Sequence, residues 1–137
     1  MTTVRNETQV RHVLVVDDDP VIRELVTFNL EAEGLQVASA GDGDVAHSLA
    51  REQQPDLIIL DVMMPGRDGL STLGELRSDP RTSHIPVALL TARATDAEVW
   101  EGWEAGADYY IVKPFDVNEI LNFIAYLSVE DQQAKVS

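Results

Sequence analysis

The sequence predicts an α/β fold: a doubly wound, five-stranded parallel sheet in the order 2-1-3-4-5, with five helices. Three observations predict it. Continuous aliphatic runs such as Val13-Leu14-Val15-Val16 and Leu57-Ile58-Ile59-Leu60 read as strands covered on both faces. Stretches of helical periodicity separate them, so strands and helices alternate along the chain. At 137 residues there is room for one domain with a real core. Right-handed crossovers then leave few ways to connect five strands, and 2-1-3-4-5 is common at this size.

Each element has its own justification. Residues 1–11 are polar and read as a flexible N-terminal segment. The first strand runs straight into Asp17-Asp18-Asp19-Pro20. Asp19 suits a helix cap and Pro20 a first turn. The helix over 20–33 places Ile22, Leu25, Val26 and Leu30 on an inward stripe, and Gly34 ends it. A shorter strand over 35–40 and the turn Gly41-Asp42-Gly43 lead to a helix over 44–53, with Val45, Ala46, Leu49 and Ala50 inward. The third strand ends at Asp61, a loop follows through Gly69, and a helix spans about 70–77. The fourth strand, 85–91, ends at Thr91. Residues 96–105 read as a helix closed by Gly106, and 109–112 as the fifth strand, ending at Lys113-Pro114. The last helix begins at Asp116 or Val117 and runs to about Leu127, with Ile120, Leu121, Ile124 and Leu127 inward. The domain is therefore expected over 12–127, followed by a polar tail over 128–137.

Composition narrows the function. Without cysteine, disulfides and thiolate metal sites are excluded. No apolar run approaches the ~20 residues that cross a bilayer, and the N-terminus lacks a signal-like segment, so a cytoplasmic location is the default expectation. A net charge of −14 speaks against direct contact with nucleic acid or an anionic membrane.

In the order 2-1-3-4-5, strands 1, 3, 4 and 5 are neighbours. Asp17 and Asp18, Asp61, Thr91 and Lys113 then share one edge of the sheet, where ligands of open α/β sheets bind. Singly, each has a commoner structural role: Asp as turn former or cap, Thr as packing, Lys as a solvated charge. Asp19 is expected to be only a cap. Together they need another reason, since two like charges ~4 Å apart at an effective dielectric of ~20 repel by about 4 kcal/mol. A hard divalent cation removes that cost, and Mg2+ favours oxygen ligands, with Mn2+ an alternative.

Val15-Val16-Asp17-Asp18-Asp19-Pro20, Leu60-Asp61-Val62-Met63-Met64-Pro65-Gly66-Arg67-Asp68-Gly69, Leu90-Thr91-Ala92 and Tyr110-Ile111-Val112-Lys113-Pro114-Phe115 resemble, in order, the four signatures of bacterial two-component response-regulator receiver domains. The resemblance covers 12 to about 127 and implies a flavodoxin-like fold, here of the stand-alone, single-domain type or cut from something larger. It implies that Asp61 accepts a phosphoryl group from a sensor histidine kinase or phosphotransfer protein, catalysing only its own phosphorylation and dephosphorylation. Asp17, Asp18, Asp61 and the backbone carbonyl of Met63 would hold Mg2+. Lys113 would pair with Asp61, and Thr91 and Tyr110 would form the switch. The Lys113–Pro114 bond would often be cis. A downstream protein would read the face of helix 4, strand 5 and helix 5.

Some residues are particular to this chain. Asp108 and Glu119 match the charged dimer pattern of the family's transcription-factor branch, but Val99, Tyr109, Phe123 and Glu130 do not, so a monomer or weak dimer is expected. Trp100 and Trp103 share a helix face and are candidates for a partner surface or a roof over the sheet edge. Met63 and Arg93, each two residues past a site residue, are candidates for setting phosphoryl lifetime. His12, His47 and His84 carry no motif. The competing functions are a phosphorylation-independent binding module, an aspartyl-phosphate phosphohydrolase and a flavodoxin-like cofactor carrier. The hydrolase would want a second acid where Met63 stands and a cap for which the chain lacks length.

Overall fold

A computed structural model describes residues 10–63, 69–92 and 103–136, with side chains to residue 128. Five strands form one sheet in the order β2-β1-β3-β4-β5. They are β1 (His12–Val16), β2 (Gln36–Ala40), β3 (Leu57–Asp61), β4 (Val87–Thr91) and β5 (Tyr109–Val112). Every pairing is parallel. The helices are α1 (Pro20–Ala32), α2 (Gly43–Gln53), α3 (Gly69–Ser78), α4, described over residues 103–105, and α5 (Val117–Val136). The predicted doubly wound fold is the one observed.

Alternation of side chains splits the core in two. Leu14, Val16, Ile58, Leu60, Val87 and Leu89 face α2 and α3, meeting Ala46, Ala50, Leu73 and Leu76. Val13, Val15, Leu57, Ile59, Ala88 and Leu90 face α1 and α5, meeting Val26, Leu30, Ile120 and Phe123. All five residues of β3 and of β4 are buried, which is what unbroken aliphatic runs require.

The N-terminal ends of the strands are stitched by side chains. The Asp56 carboxylate accepts from the backbone N–H groups of Arg11 and His12 at 2.9 and 3.0 Å. Arg77, at the end of α3, donates to the carbonyls of Gly106, Ser83 and Ile85 and to Asp108 Oδ2. That same Asp108 oxygen accepts from Val87 N–H at 2.9 Å. Gly106 closes α4 at φ 103°, and a Cβ there would strike the Arg77 side chain. Asp108, one of the two charges that matched the dimer pattern, is thus engaged within the chain.

Three expectations need correction. Residues 10 and 11 do not belong to a loose leader: Val10 is buried and its N–H donates to Ser128 Oγ. Residues 1–9 lie outside the described part. The last helix does not stop near Leu127 but continues to Val136, so the expected tail is helical through 136. Leu25 and Val45 point outward, 47% and 45% exposed, because the sheet meets α1 along Val26 and Leu30 and α2 along Ala46 and Ala50.

Candidate functional site

The ladder extends past the strand ends and fixes the backbone of the residues there. Asp17 N–H donates to Ala40 O at 3.1 Å, Val62 N–H to Leu90 O at 2.9 Å and Lys113 N–H to Thr91 O at 2.7 Å. Asp61, Thr91 and the chain beyond β1 and β5 are held at one level, as the strand order predicts. Asp19 caps α1 by accepting from Val21 N–H at 2.9 Å, the modest role expected of it.

Asp17 and Asp61 are buried and Asp18 is exposed. A carboxylate oxygen from each lies within 4.8 Å of the other two. Lys113 reaches in from β5, its Nζ 3.1 Å from Asp17 Oδ2 and 3.3 Å from Asp61 Oδ2. Backbone groups take the other oxygens: Asp19 N–H donates to Asp17 Oδ1 at 2.9 Å and Met63 N–H to Asp61 Oδ1 at 3.1 Å. Arg23 donates to the Asp17 carbonyl at 2.7 Å. Thr91 is buried beside them in sequence register, 4% exposed. The Lys113–Pro114 peptide is cis.

Electrostatics follow from this crowding. Burial pushes the Asp61 carboxyl up from 3.8 to about 6, and the Asp17 charge adds to the push, against the Met63 N–H and Lys113. Lys113 loses hydration by burial, but its hydrogen bond to Asp17 and the charges of Asp61 and Asp17 outweigh that and raise it. Three convergent carboxylates with one ammonium leave a net negative pocket of hard oxygen donors. The donor set fits a divalent cation of the Mg2+ type, and the exposed Asp18 leaves that side open to water.

Gly69, the end of both the loop and the Leu60–Gly69 signature, is also a steric requirement of the site. A Cβ there would overlap the Asp61 backbone carbonyl and press on Val62 Cα, and Gly69 N–H donates to Val62 O at 2.7 Å. Only glycine lets α3 start so close to Asp61.

Tyr110 is half-buried, edge-on to Trp103 at 5.7 Å between ring centroids, and Trp103 is 45% exposed. Trp103 thus covers a sheet-edge residue and leaves nearly half of its side chain exposed. Met63 has its side chain outward, 58% exposed. Arg93 and Trp100 lie outside the described residues.

A second feature was missed entirely. Val21, Leu25 and Phe28 form an exposed stripe on α1 at 70%, 47% and 73%. They line a surface cavity of about 740 Å³ with Pro20, Arg23 and Ser39. Their spacing of four and three was the available signal.

Comparison with known proteins agrees with this geometry. A family described as the response regulator receiver domain matches residues 13–125. The transcriptional regulator RpaA of Synechocystis, described as DNA-binding, is 48% identical over 109 residues, 80% of this chain and 45% of that protein. CheY4 of Vibrio cholerae, a chemotaxis protein, superposes with a TM-score of 0.82 at 31% identity, over 86% of this chain and 98% of that one. The receiver domain of the sensor histidine kinase PA1611 of Pseudomonas aeruginosa, solved with magnesium in its active-site cleft, gives 0.79 at 28% identity, over 87% and 98%. The chain spans about half the length of the curated relatives it matches, so they lend no support to a stand-alone type. No described helix is long and apolar enough to cross a membrane. The match runs from β1 into α5 and takes in all five strand ends, and on that ground the chain belongs to the response regulator receiver domain family.

Proposed function

We propose that this chain is a phosphoacceptor switch of a two-component system, with Asp61 taking the phosphoryl group from a phosphohistidine of a sensor kinase or phosphotransfer protein. The observation that carries the proposal is Lys113 Nζ at 3.3 Å from Asp61 Oδ2, inside a buried cluster with Asp17 and Asp18. An Asp61 oxygen attacks phosphorus, the N–P bond breaks, and the leaving imidazole keeps the electron pair and takes a proton. Asp61 is held in line by the Met63 N–H on its other oxygen. Lys113 sits where charge gathers on the transferred group. Asp17, Asp18, Asp61 and the Met63 carbonyl would hold Mg2+, which neutralises phosphoryl charge when bound. The Thr91 hydroxyl would donate to the phosphoryl group, and its shift would draw Tyr110 away from Trp103. That aromatic pair is our candidate two-state element, read by a protein at the α4–β5–α5 face. Met63 and Arg93 are candidates for shielding the acyl phosphate from water.

The Val21–Leu25–Phe28 stripe follows directly on Asp19 and Pro20, next to the phosphoryl site. It suits an apolar helix face of the phosphodonor. The test is direct: with Mg2+ and acetyl phosphate, one phosphoryl mass increment appears, and Asp61→Asn abolishes it. Sustained turnover would favour a phosphohydrolase, and no increment a binding module. A second reading comes from the relatives described as DNA-binding. The switch would then control a DNA-binding effector, and the −14 charge favours a DNA contact made by that effector rather than by the receiver.

A further inference from the structure

The face between α4 and α5 carries chemistry that the phosphoryl site does not use. On β5, the edge strand, Tyr109 stacks on Phe123 with centroids 4.3 Å apart and planes 8° from parallel. Phe123 lies 6.5 Å from Tyr126. On the other side of the strand, Trp103 meets Tyr110. Aromatic contacts thus run from α4 to β5 on one side of the edge strand and from β5 to α5 on the other. Trp103, Tyr109 and Tyr126 are 45%, 41% and 57% exposed, beside Val112 at 42%. Single exposed apolar residues are ordinary, but several partly exposed aromatics flanking one edge strand mark an interaction surface.

Charge selects the occupant. Glu104, Asp116 and Glu119 are exposed around the patch. Glu119, Phe123 and Tyr126 follow each other at spacings of four and three, so acid and aromatics share one side of α5. Asp108 is already paired with Arg77. Between 103 and 128 the one cation is Lys113, and its Nζ is turned to Asp17 and Asp61. Among the described residues, the result is a set of exposed aromatics with acids around them, the neighbouring cations Lys113 and Arg77 being already engaged by carboxylates. A second copy would set acid against acid, and nucleic acid would be repelled likewise. A guanidinium answers both parts, since it stacks on aromatic faces and pairs with carboxylates.

We propose that the α4–β5–α5 face receives a basic, arginine-bearing segment of a partner protein, its arginines laid on Tyr109 and Tyr126 and its aliphatic side chains on Trp103 and Val112. This names the partner chemistry of the output face in the switch proposed above, and rests on that reading only for its dependence on phosphorylation.

The probe is a short amphipathic Arg/Leu peptide, with Lys/Leu and Glu/Leu counterparts, titrated calorimetrically into the whole chain near physiological ionic strength. Titrations run with and without acetyl phosphate, and mass spectrometry records phosphorylation separately. A missing mass increment would sink the phosphoacceptor reading, while binding to the unphosphorylated chain would still decide this one. The Arg/Leu peptide should bind, the Lys/Leu peptide several-fold more weakly, and the Glu/Leu peptide not at all. Tyr126→Ala and Tyr109→Ala should each weaken binding by about tenfold or more, a hot-spot effect. Glu119→Gln should weaken it and flatten its salt dependence, with Glu31→Gln on α1 as the unaffected control. Wild-type binding by both tyrosine variants, or equal losses from Glu31→Gln and Glu119→Gln, would overturn the proposal. So would a dimer in sedimentation that Tyr126→Ala dissolves, which would give the face to a second copy.

Discussion

Replacing Asp61 by asparagine should stabilise the metal-free protein. Burial and the Asp17 charge move its carboxyl from 3.8 to about 6. That displacement corresponds to about 3 kcal/mol of penalty on the charged form at neutral pH. The sign is opposite to that of a salt-bridged carboxylate. The folded chain binds the Asp61 proton more tightly than the unfolded chain, so stability falls as pH rises from about 4 through about 6. Above that window the penalty is complete; below it Asp61 is protonated in both states and the penalty is gone. Asparagine carries no charge at any pH and can still accept from the Met63 N–H. Asp61→Asn should therefore raise Tm by roughly 9–12 °C near pH 7.5 with chelator present, taking ~3–4 °C per kcal/mol for a domain of this size. Near pH 4.5 the advantage should shrink to about a third or less. Saturating Mg2+ should raise the wild-type Tm and narrow the gap, because the ion binds the folded acids and the variant offers one fewer. Thermal unfolding by circular dichroism reads all three. An unchanged or lowered Tm at neutral pH, a gap indifferent to acid, or equal stabilisation of both proteins by Mg2+ would refute the reasoning.

Three other changes follow from the geometry. Lys113→Ala leaves Asp17 and Asp61 facing each other without their shared cation, so the metal-free fold should lose about 3 kcal/mol in denaturant titration and phosphorylation by acetyl phosphate should nearly cease. Phe28→Asp, on the exposed stripe of α1, should slow transfer from a phosphohistidine donor by at least about tenfold. It should leave phosphorylation by acetyl phosphate unaltered, as radiolabel transfer assays would show. Gly69→Ala forces a methyl into the Asp61 carbonyl, so it should cost several kcal/mol, roughly 2–4, and slow phosphorylation from either donor.

The strands and their ends were legible because their physics is local. An unbroken aliphatic run can only be a covered strand at that length, and its last residue is at the sheet edge whatever else happens. Asp17, Asp61, Thr91 and Lys113 meet for that reason. Helix facing was less legible. On α1, apolar residues at 21, 22, 25, 26, 28 and 30 give two overlapping stripes, and periodicity alone cannot say which meets the sheet. The structure chose Val26 and Leu30 and left Val21, Leu25 and Phe28 outside. Gly69 and Arg77 were illegible for another reason. The first is set by a clash with a backbone atom brought near by folding, the second by three carbonyls contributed from two separate segments. The continuation of α5 past Leu127 was hidden because polar sequence marks the end of a buried stripe, not the end of a helix.

Arg77 and Asp108 have a kinetic consequence. Val87 N–H donates to the Asp108 carboxylate, Asp108 N–H donates to the Val87 carbonyl at 2.8 Å, and Arg77 holds that carboxylate from α3. Two of these bonds share one carboxylate, and the third pairs the same two residues. In amide hydrogen exchange, Val87 and Asp108 should exchange together and slowly, as one cooperative unit that also includes the Asp56 clasp on Arg11 and His12. The opposite rim is closed by a different set of bonds, from Lys113 to Asp17 and Asp61, so the two ends of the sheet are held by separate groups of charges.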